Sequence, residues 1–167
     1  GLWKLVLEDR HIPFFSDGQR ETVHHPLAEL VRSAFEAVRG WRYEPVIRTL
    51  RTGFSALTRE QIDKLENYVL EFGVRGAGRW TMEEPWPWFR RHSLDDEETA
   101  AEKDAAALAE IDDIRRQAAA PLKTLSEQMK SAKTVRAYTA AIYAFLEALR
   151  VPETLERVVR AGLGREH

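Results

Sequence analysis

The stretch TREQIDKLENYVLEFG, residues 58–73, shows most directly how this chain folds. Thr58 and Gln61 have the spacing of a capping box, in which each side chain binds the backbone N–H of the other at the start of a helix. Apolar residues then recur at intervals of three and four, at Ile62, Leu65, Tyr68, Val69 and Phe72. Gly73 is suited to end a helix. The stretch therefore predicts an amphipathic helix with one buried face.

The same periodicity lies on both sides of this helix. Upstream it predicts a helix from Pro26 to Gly40, with the proline in the first turn, and a shorter one from Tyr43 that stops by Gly53. Downstream, the acidic run at 95–98 favours the start of a helix of nearly 35 residues, because negative charge suits a helix N-terminus.

Two prolines and a threonine divide the remainder of the chain. We expect Pro121 to kink or divide the long helix, because proline lacks the N–H that a helix interior needs. Thr134 begins a further helix, and Pro152 precedes a short last one. The side chains expected to pack from the helix after Thr134 are Val135, Tyr138, Ala141, Ile142, Phe145 and Leu149.

The N-terminal end differs from the rest. Residues 2–10 resemble the end of a helix, and IPFF at 12–15 predicts a short strand. A single strand is not stable alone, and no other segment is a convincing partner for it. We therefore expect an all-α domain, a helical bundle-like fold with one orphan strand. We also expect excision from a longer protein, because the apolar pattern is already running at Gly1 and no initiator Met is present.

Composition excludes several classes of function. The chain has 167 residues, about one domain, and its formal charge of −2 argues against a uniformly cationic nucleic-acid binder. It contains no cysteine, which excludes disulfides, thiolate zinc sites, iron–sulfur ligation and a cysteine nucleophile within it. No apolar run is long enough for a bilayer, and no signal-peptide pattern is present. These features are compatible with a cytoplasmic protein.

The motifs that could carry chemistry are incomplete. The glycines at 73–78 follow a helix and lack the lysine of a phosphate-binding loop. His24-His25 would point in opposite directions on an extended chain, which is a poor arrangement for one metal ion. The acidic pairs at 95–96 and 112–113 are better explained by helix-end electrostatics and solubility than by two-metal chemistry. We therefore predict no catalytic, cofactor-binding or metal-binding residue.

The most unusual stretch runs from RGAGRW at 75–80 to WPWFRR at 86–91. Arginines interleaved with aromatic residues can contact phosphates and stack on bases, but tryptophans in a long loop more often plug it onto the domain. Both interpretations stay open. The candidate DNA or partner surface comprises Arg75, Arg79, Trp80, Trp86, Trp88, Arg90 and Arg91, with a second, weaker basic face at Arg42, Arg48 and Arg51.

Several blocks of sequence resemble the AddB family, which supplies one of the two subunits of the bacterial AddAB ATP-dependent helicase–nucleases. The blocks are HHPL at 24–27, GWRYEPV at 40–46, LENYVLEFGVRG at 65–76, SLDD at 93–96 and MKSAKTV at 129–135. They occur in the order of the family and cover essentially the whole chain. The block at 65–76 is the most specific of them.

The resemblance implies a domain organisation and a biological setting. Residues 1–23 would be a remnant of the second helicase motor domain, and 24–167 a helical insertion like the 2B domain of UvrD-like helicases. The family pairs with AddA and acts on double-stranded DNA ends in recombinational repair. It uses ATP, Mg²⁺ and an iron–sulfur cluster, which the resemblance places outside this segment. No small-molecule substrate and no membrane partner is implied.

Two functions remain open at this stage. The chain is either a non-catalytic accessory domain that contacts DNA, AddA or both, or a protein-interaction module that never touches DNA. No catalytic residue of the family corresponds to any position in this sequence.

Overall fold

A computed structural model describes the backbone of residues 26–87 and 97–163 and the side chains of 26–87 and 104–157. Within these ranges it contains helices and no strand, so the all-α prediction is confirmed. The helix and strand predicted at 2–15 and the domain division at 23/24 involve residues outside these ranges. The helices are α1 (Pro26–Gly40), α2 (Tyr43–Leu50), α3 (Arg59–Glu71), α4 (Ala77–Trp80), α5 (Glu97–Ser131), α6 (Val135–Ala148) and α7 (Val151–Leu163).

Side-chain caps begin two of the helices where the sequence predicted them. At α3 the Thr58 hydroxyl accepts from the Gln61 backbone N–H at 3.2 Å, and the Gln61 side chain accepts from the Thr58 N–H at 2.9 Å. At α6 the Thr134 hydroxyl accepts from the Ala137 N–H at 3.2 Å. Both caps satisfy N–H groups that have no partner inside the helix.

Helices α1 and α2 pack tightly and share a buried polar contact. The Thr49 hydroxyl donates to the Ser33 hydroxyl at 3.0 Å, and Ser33 donates to the Glu29 carbonyl at 2.6 Å. Buried hydroxyls need such partners, because an unpaired one would cost free energy in the interior. The turn between the helices contains Trp41, whose φ of 50° is left-handed and whose ring is buried.

The long helix α5 crosses the domain and contacts α1, α3 and α6. It was expected to be kinked or divided at Pro121, and the division is wrong because the helix continues to Ser131. Proline removes one N–H donor from the helix, and the buried side chains of Leu122 and Leu125 anchor the turns that follow it.

Helix α6 packs on α5 through only some of the side chains that the sequence predicted. Ala141 and Phe145 are buried as predicted, whereas Val135 and Tyr138 are exposed, which corrects the expectation that they face the core. The buried strip of α6 is narrow, so apolar side chains also occupy its outward side. Helix α7 begins at Val151, with Pro152 in the first turn, where a proline is well tolerated.

A single cluster of buried apolar side chains connects α1 to α6 and extends to Val151 at the start of α7. The loop predicted at 73–92 belongs to it in part, because it contains the four-residue helix α4 and two buried tryptophans. We call residues 73–87 the tryptophan loop. Its position on α5 determines where the candidate functional residues lie.

Candidate functional site

The tryptophan loop is plugged into the domain by its indole rings. Trp80 is 0% exposed and Trp86 is 1% exposed. Trp86 stacks on Tyr68 of α3 with ring centroids 5.1 Å apart and meets Trp80 edge-on at 5.6 Å. Its indole N–H donates to the Arg79 carbonyl at 2.7 Å. The two rings are therefore structural, and neither can serve as a base-stacking platform while it is buried.

Arg115 of α5 also binds the tryptophan loop, and its role was not identified from the sequence. Its side chain is 1% exposed and pairs with Asp112 at 2.6 Å. The guanidinium also donates to backbone carbonyls at 3.1, 2.7 and 3.3 Å, those of Trp80, Met82 and Glu84. The charge lies 5.4 Å from the centre of the Trp86 ring. A buried arginine is stable only when its charge and donors are matched in this way.

Asp112 lies between two arginines. Its second carboxylate oxygen accepts from Arg116 at 2.6 Å, and Arg116 also donates to the Glu83 carbonyl at 2.6 Å. Burial by itself raises the pKa of Asp112, but the hydrogen bonds and charges of Arg116 and Arg115 outweigh it and hold the pKa below its ordinary value. The acidic pair at 112–113 was expected to be solvated, which is wrong for Asp112 and right for the exposed Asp113.

A sequence signal for this cluster did exist. Asp112 and Arg115 stand three residues apart on α5, and they directly follow the apolar residues Ile111 and Ile114. Residues three apart on a helix can form an ion pair, and Asp and Arg are seldom fully buried unless they are paired. The groups that Arg115 binds could not be identified from the sequence, because the three carbonyls lie more than 30 residues away in it.

The second basic face, at α2, is largely neutralised by carboxylates. Arg48 pairs with Glu36 and lies 3.6 Å from Glu29. Arg51 pairs with Asp63 at 2.6 Å and also with Glu66. Exposed ion pairs of this kind contribute little to stability, but they reduce the positive potential that a phosphate would meet.

One backbone contact brings the two predicted basic regions together. The Gly76 N–H donates to the Trp41 carbonyl at 3.1 Å, so the start of the tryptophan loop lies against the α1–α2 turn. Gly76 has a φ of 82°, which favours glycine at this contact. Arg75 and Arg42, which flank the two joined positions, thereby come close to each other in the fold.

Glu44 shows how close these arginines are. Its pKa is lowered by a bond to its own backbone N–H, then by the hydrogen bond and charge of Arg42, and also by the charge of Arg75, against the opposing effect of burial. Arg42 lies 3.4 Å from the carboxylate and is highly exposed. Arg39 and Arg42 line a surface groove of about 990 Å³ beside the turn.

We call the exposed residues Arg39, Arg42 and Arg75 the arginine surface. Among the described residues no carboxylate pairs with Arg39 or Arg75, and only Glu44 pairs with Arg42. Arg79 is exposed nearby on α4 and has an interaction of its own. Trp88, Arg90 and Arg91 lie outside the described residues, as do His24 and His25, so their predicted roles stay predictions.

Two kinds of feature are absent from the described part of the chain. It contains no group of three or more His, Asp or Glu side chains arranged to hold a metal ion. Nor does it contain a helix with the length and apolarity to cross a bilayer.

Comparison with known proteins gives consistent relatives. No protein-family model matches the chain. It is 41% identical over 157 residues to the B subunit of the ATP-dependent helicase/deoxyribonuclease of Pelotomaculum thermopropionicum, covering 93% of the chain and 14% of the relative. Proteins of the same name from Heliobacterium modesticaldum and Symbiobacterium thermophilum are 45% and 42% identical over 90% of the chain. The chain spans 12% to 14% of the length of these three relatives.

Proposed function

The chain belongs, as one segment, to the family of ATP-dependent helicase/deoxyribonuclease B subunits that its sequence resembled, and from this we propose that it is a non-catalytic accessory domain of such a protein. The relatives' name implies an assembly with a partner subunit. We propose that the partner is AddA, that the assembly acts on double-stranded DNA ends in break repair and recombination, and that it works in the cytoplasm. ATP, Mg²⁺ and the iron–sulfur cluster would be bound by other parts of the assembly.

The arginine surface is the observation that supports DNA contact by this segment. Three exposed guanidinium groups, two of them three residues apart and the third from the tryptophan loop, lie around one turn, and only one has a carboxylate partner among the described residues. Guanidinium groups recognise phosphate by charge and by paired N–H donors. With Trp80 and Trp86 buried, the contact would be to the phosphate backbone and largely independent of sequence.

Salt-dependent binding tests this proposal. The 167-residue chain would be titrated with blunt and forked duplexes by fluorescence anisotropy at several salt concentrations. Affinity should fall steeply with salt, since each phosphate contact releases counterions. The triple variant R39A/R42A/R75A should lower the slope of log K against log salt by up to about three.

The matched control is Arg48→Ala with Arg51→Ala, because these arginines are exposed but already paired with carboxylates. It should change the slope by less than about one. Absence of binding even at low salt, or an unchanged slope in the triple variant, would exclude phosphate contact by the arginine surface.

The alternative, a protein-interaction module without DNA contact, also has an observation in its favour. The cations of α2 are balanced by carboxylates, and large apolar side chains of α6 are exposed. Exposed apolar surface of this kind is more typical of a protein interface than of a phosphate-binding surface.

A further inference from the structure

Helix α6 presents apolar side chains on the side turned away from its buried strip. Val135 is 82% exposed and Tyr143 is 62% exposed. Ala141 and Phe145 are the buried residues of the same helix. We call Val135 and Tyr143, which stand eight residues apart and so on one side of α6, the tyrosine face. Tyr138 is exposed too, but it lies seven residues before Phe145, on the side of the buried strip. Apolar groups that remain in water on a regular helix gain free energy when a partner covers them.

Positive charge borders this face. Lys130 ends α5, Lys133 lies in the turn, and Arg136 is in the first turn of α6. Among the described residues none of the three forms an ion pair, and neither do Glu127 and Glu147, the carboxylates of the same stretch. Arg48 and Arg51 are different, because each already has carboxylate partners within the chain. The cations at this turn are available to negative charge from outside.

We propose that the tyrosine face and its three cations bind an acidic, amphipathic segment of the partner subunit. This inference rests on the proposed function, since it assumes that the chain works beside a second subunit. The charge requires acidic groups on the partner, and the exposed Val135 and Tyr143 require apolar ones. A phosphate backbone supplies negative charge but no apolar groups, whereas a protein segment can supply both. Tyrosine and arginine are also enriched at protein interfaces.

Subunit association tests the proposal. The full-length protein carrying this segment and the purified partner subunit would be titrated by isothermal calorimetry. The double variants V135S/Y143S and K133E/R136E should each weaken association at least tenfold. Matched controls are Leu70→Ser, an exposed apolar residue of α3, and Lys123→Glu, an exposed lysine of α5, which should change association less than twofold.

Duplex binding by the same variants distinguishes this proposal from the one on the arginine surface. If the tyrosine face binds protein, V135S/Y143S loses subunit association and keeps its DNA affinity. Failure of the arginine surface would instead appear as an unchanged salt slope in R39A/R42A/R75A, whatever happens to association. Unchanged association in both double variants, or loss of DNA affinity with association intact, would overturn the proposal.

A photocrosslink provides a readout that does not depend on affinity. Benzoylphenylalanine placed at Tyr143, on the exposed surface, should crosslink to the partner subunit within a peptide rich in Asp and Glu. A crosslink to DNA, a crosslink confined to the protein that carries the probe, or no crosslink in the assembled complex would each contradict the proposal.

Discussion

Arg115 is the residue on which the tryptophan loop most depends, because one side chain joins a carboxylate and three backbone carbonyls. Neither the sequence spacing nor the composition of the loop identifies those acceptors. The sequence does predict that tryptophans plug the loop as one of two interpretations, and the burial of Trp80 and Trp86 supports that one. The proximity of Arg75 to Arg42 was not predictable, since it depends on the contact between Gly76 and Trp41.

Arg115→Ala should lower the free energy of unfolding by about 3–5 kcal/mol, the usual effect of removing one partner of a buried ion pair. The substitution removes one of the two cations that pair with Asp112. It also leaves three backbone carbonyls without the donor that Arg115 supplies. Urea denaturation would measure the loss. The neighbouring Arg116→Ala, at a largely exposed side chain, should cost no more than about 1 kcal/mol. Equal losses in both variants would contradict a special role for Arg115.

The lowered pKa of Asp112 makes stability depend on pH. Its folded pKa is below the unfolded value, so the carboxylate stabilises the fold above the unfolded pKa, near 4, and this contribution is lost as pH falls through the folded pKa. The stability advantage of the unmodified chain over Asp112→Asn should therefore be full at neutral pH and shrink below about pH 4. Denaturation at a series of pH values measures it. An advantage that stays constant down to about pH 2 would contradict this assignment.

At the scale of the helix, the sequence predicted where helices begin but not which of their faces pack against other parts of the chain. The capping residues Thr58 and Thr134 placed two helix starts, because a cap is a local interaction. The sequence left open whether Pro121 kinks or divides α5, since packing on both sides of the proline decides whether the helix continues. The exposure of Val135 and Tyr138 was missed for a related reason. Periodicity identifies apolar faces, but it does not tell which face has a partner within the chain.

The capping box of α3 gives a prediction at this scale. Thr58→Ala removes the acceptor for the Gln61 N–H and should lower the free energy of unfolding by about 1 kcal/mol. The control is Thr124→Ala in the middle of α5, where the hydroxyl only returns to a carbonyl of its own helix. That control should change stability by less than about 0.5 kcal/mol. An equal effect of the two substitutions, measured by thermal unfolding, would show that the cap contributes nothing special.

At the scale of the whole molecule, the class of the fold and the family were both predictable. Helical periodicity over most of the chain indicated an all-α fold, and ordered blocks of sequence indicated the family. The arginine surface was not predictable as a unit, because its members come from α1, the α1–α2 turn and the tryptophan loop. Arg39 and Arg42 are three residues apart, and the contact between Gly76 and Trp41 brings Arg75 to them.

The continuous core predicts a single cooperative transition. Because buried Trp41, Trp80 and Trp86 belong to the same cluster as the helices, tryptophan fluorescence and far-UV circular dichroism should give the same urea midpoint. A fluorescence change that precedes the loss of helix would show instead that the tryptophan loop detaches before the helices unfold.

The way Arg115 binds the tryptophan loop also separates the fixed position of its heavy atoms from the protection of its amide protons, two properties that usually go together. The arginine engages carbonyl oxygens at 80, 82 and 84, while no backbone bond from the amides of residues 82–84 is present among the described residues. The segment is thus anchored through its acceptors and not through its donors. Its amide protons should exchange with deuterated solvent quickly even though its heavy atoms are held in place. Low protection in this loop would be no sign of mobility.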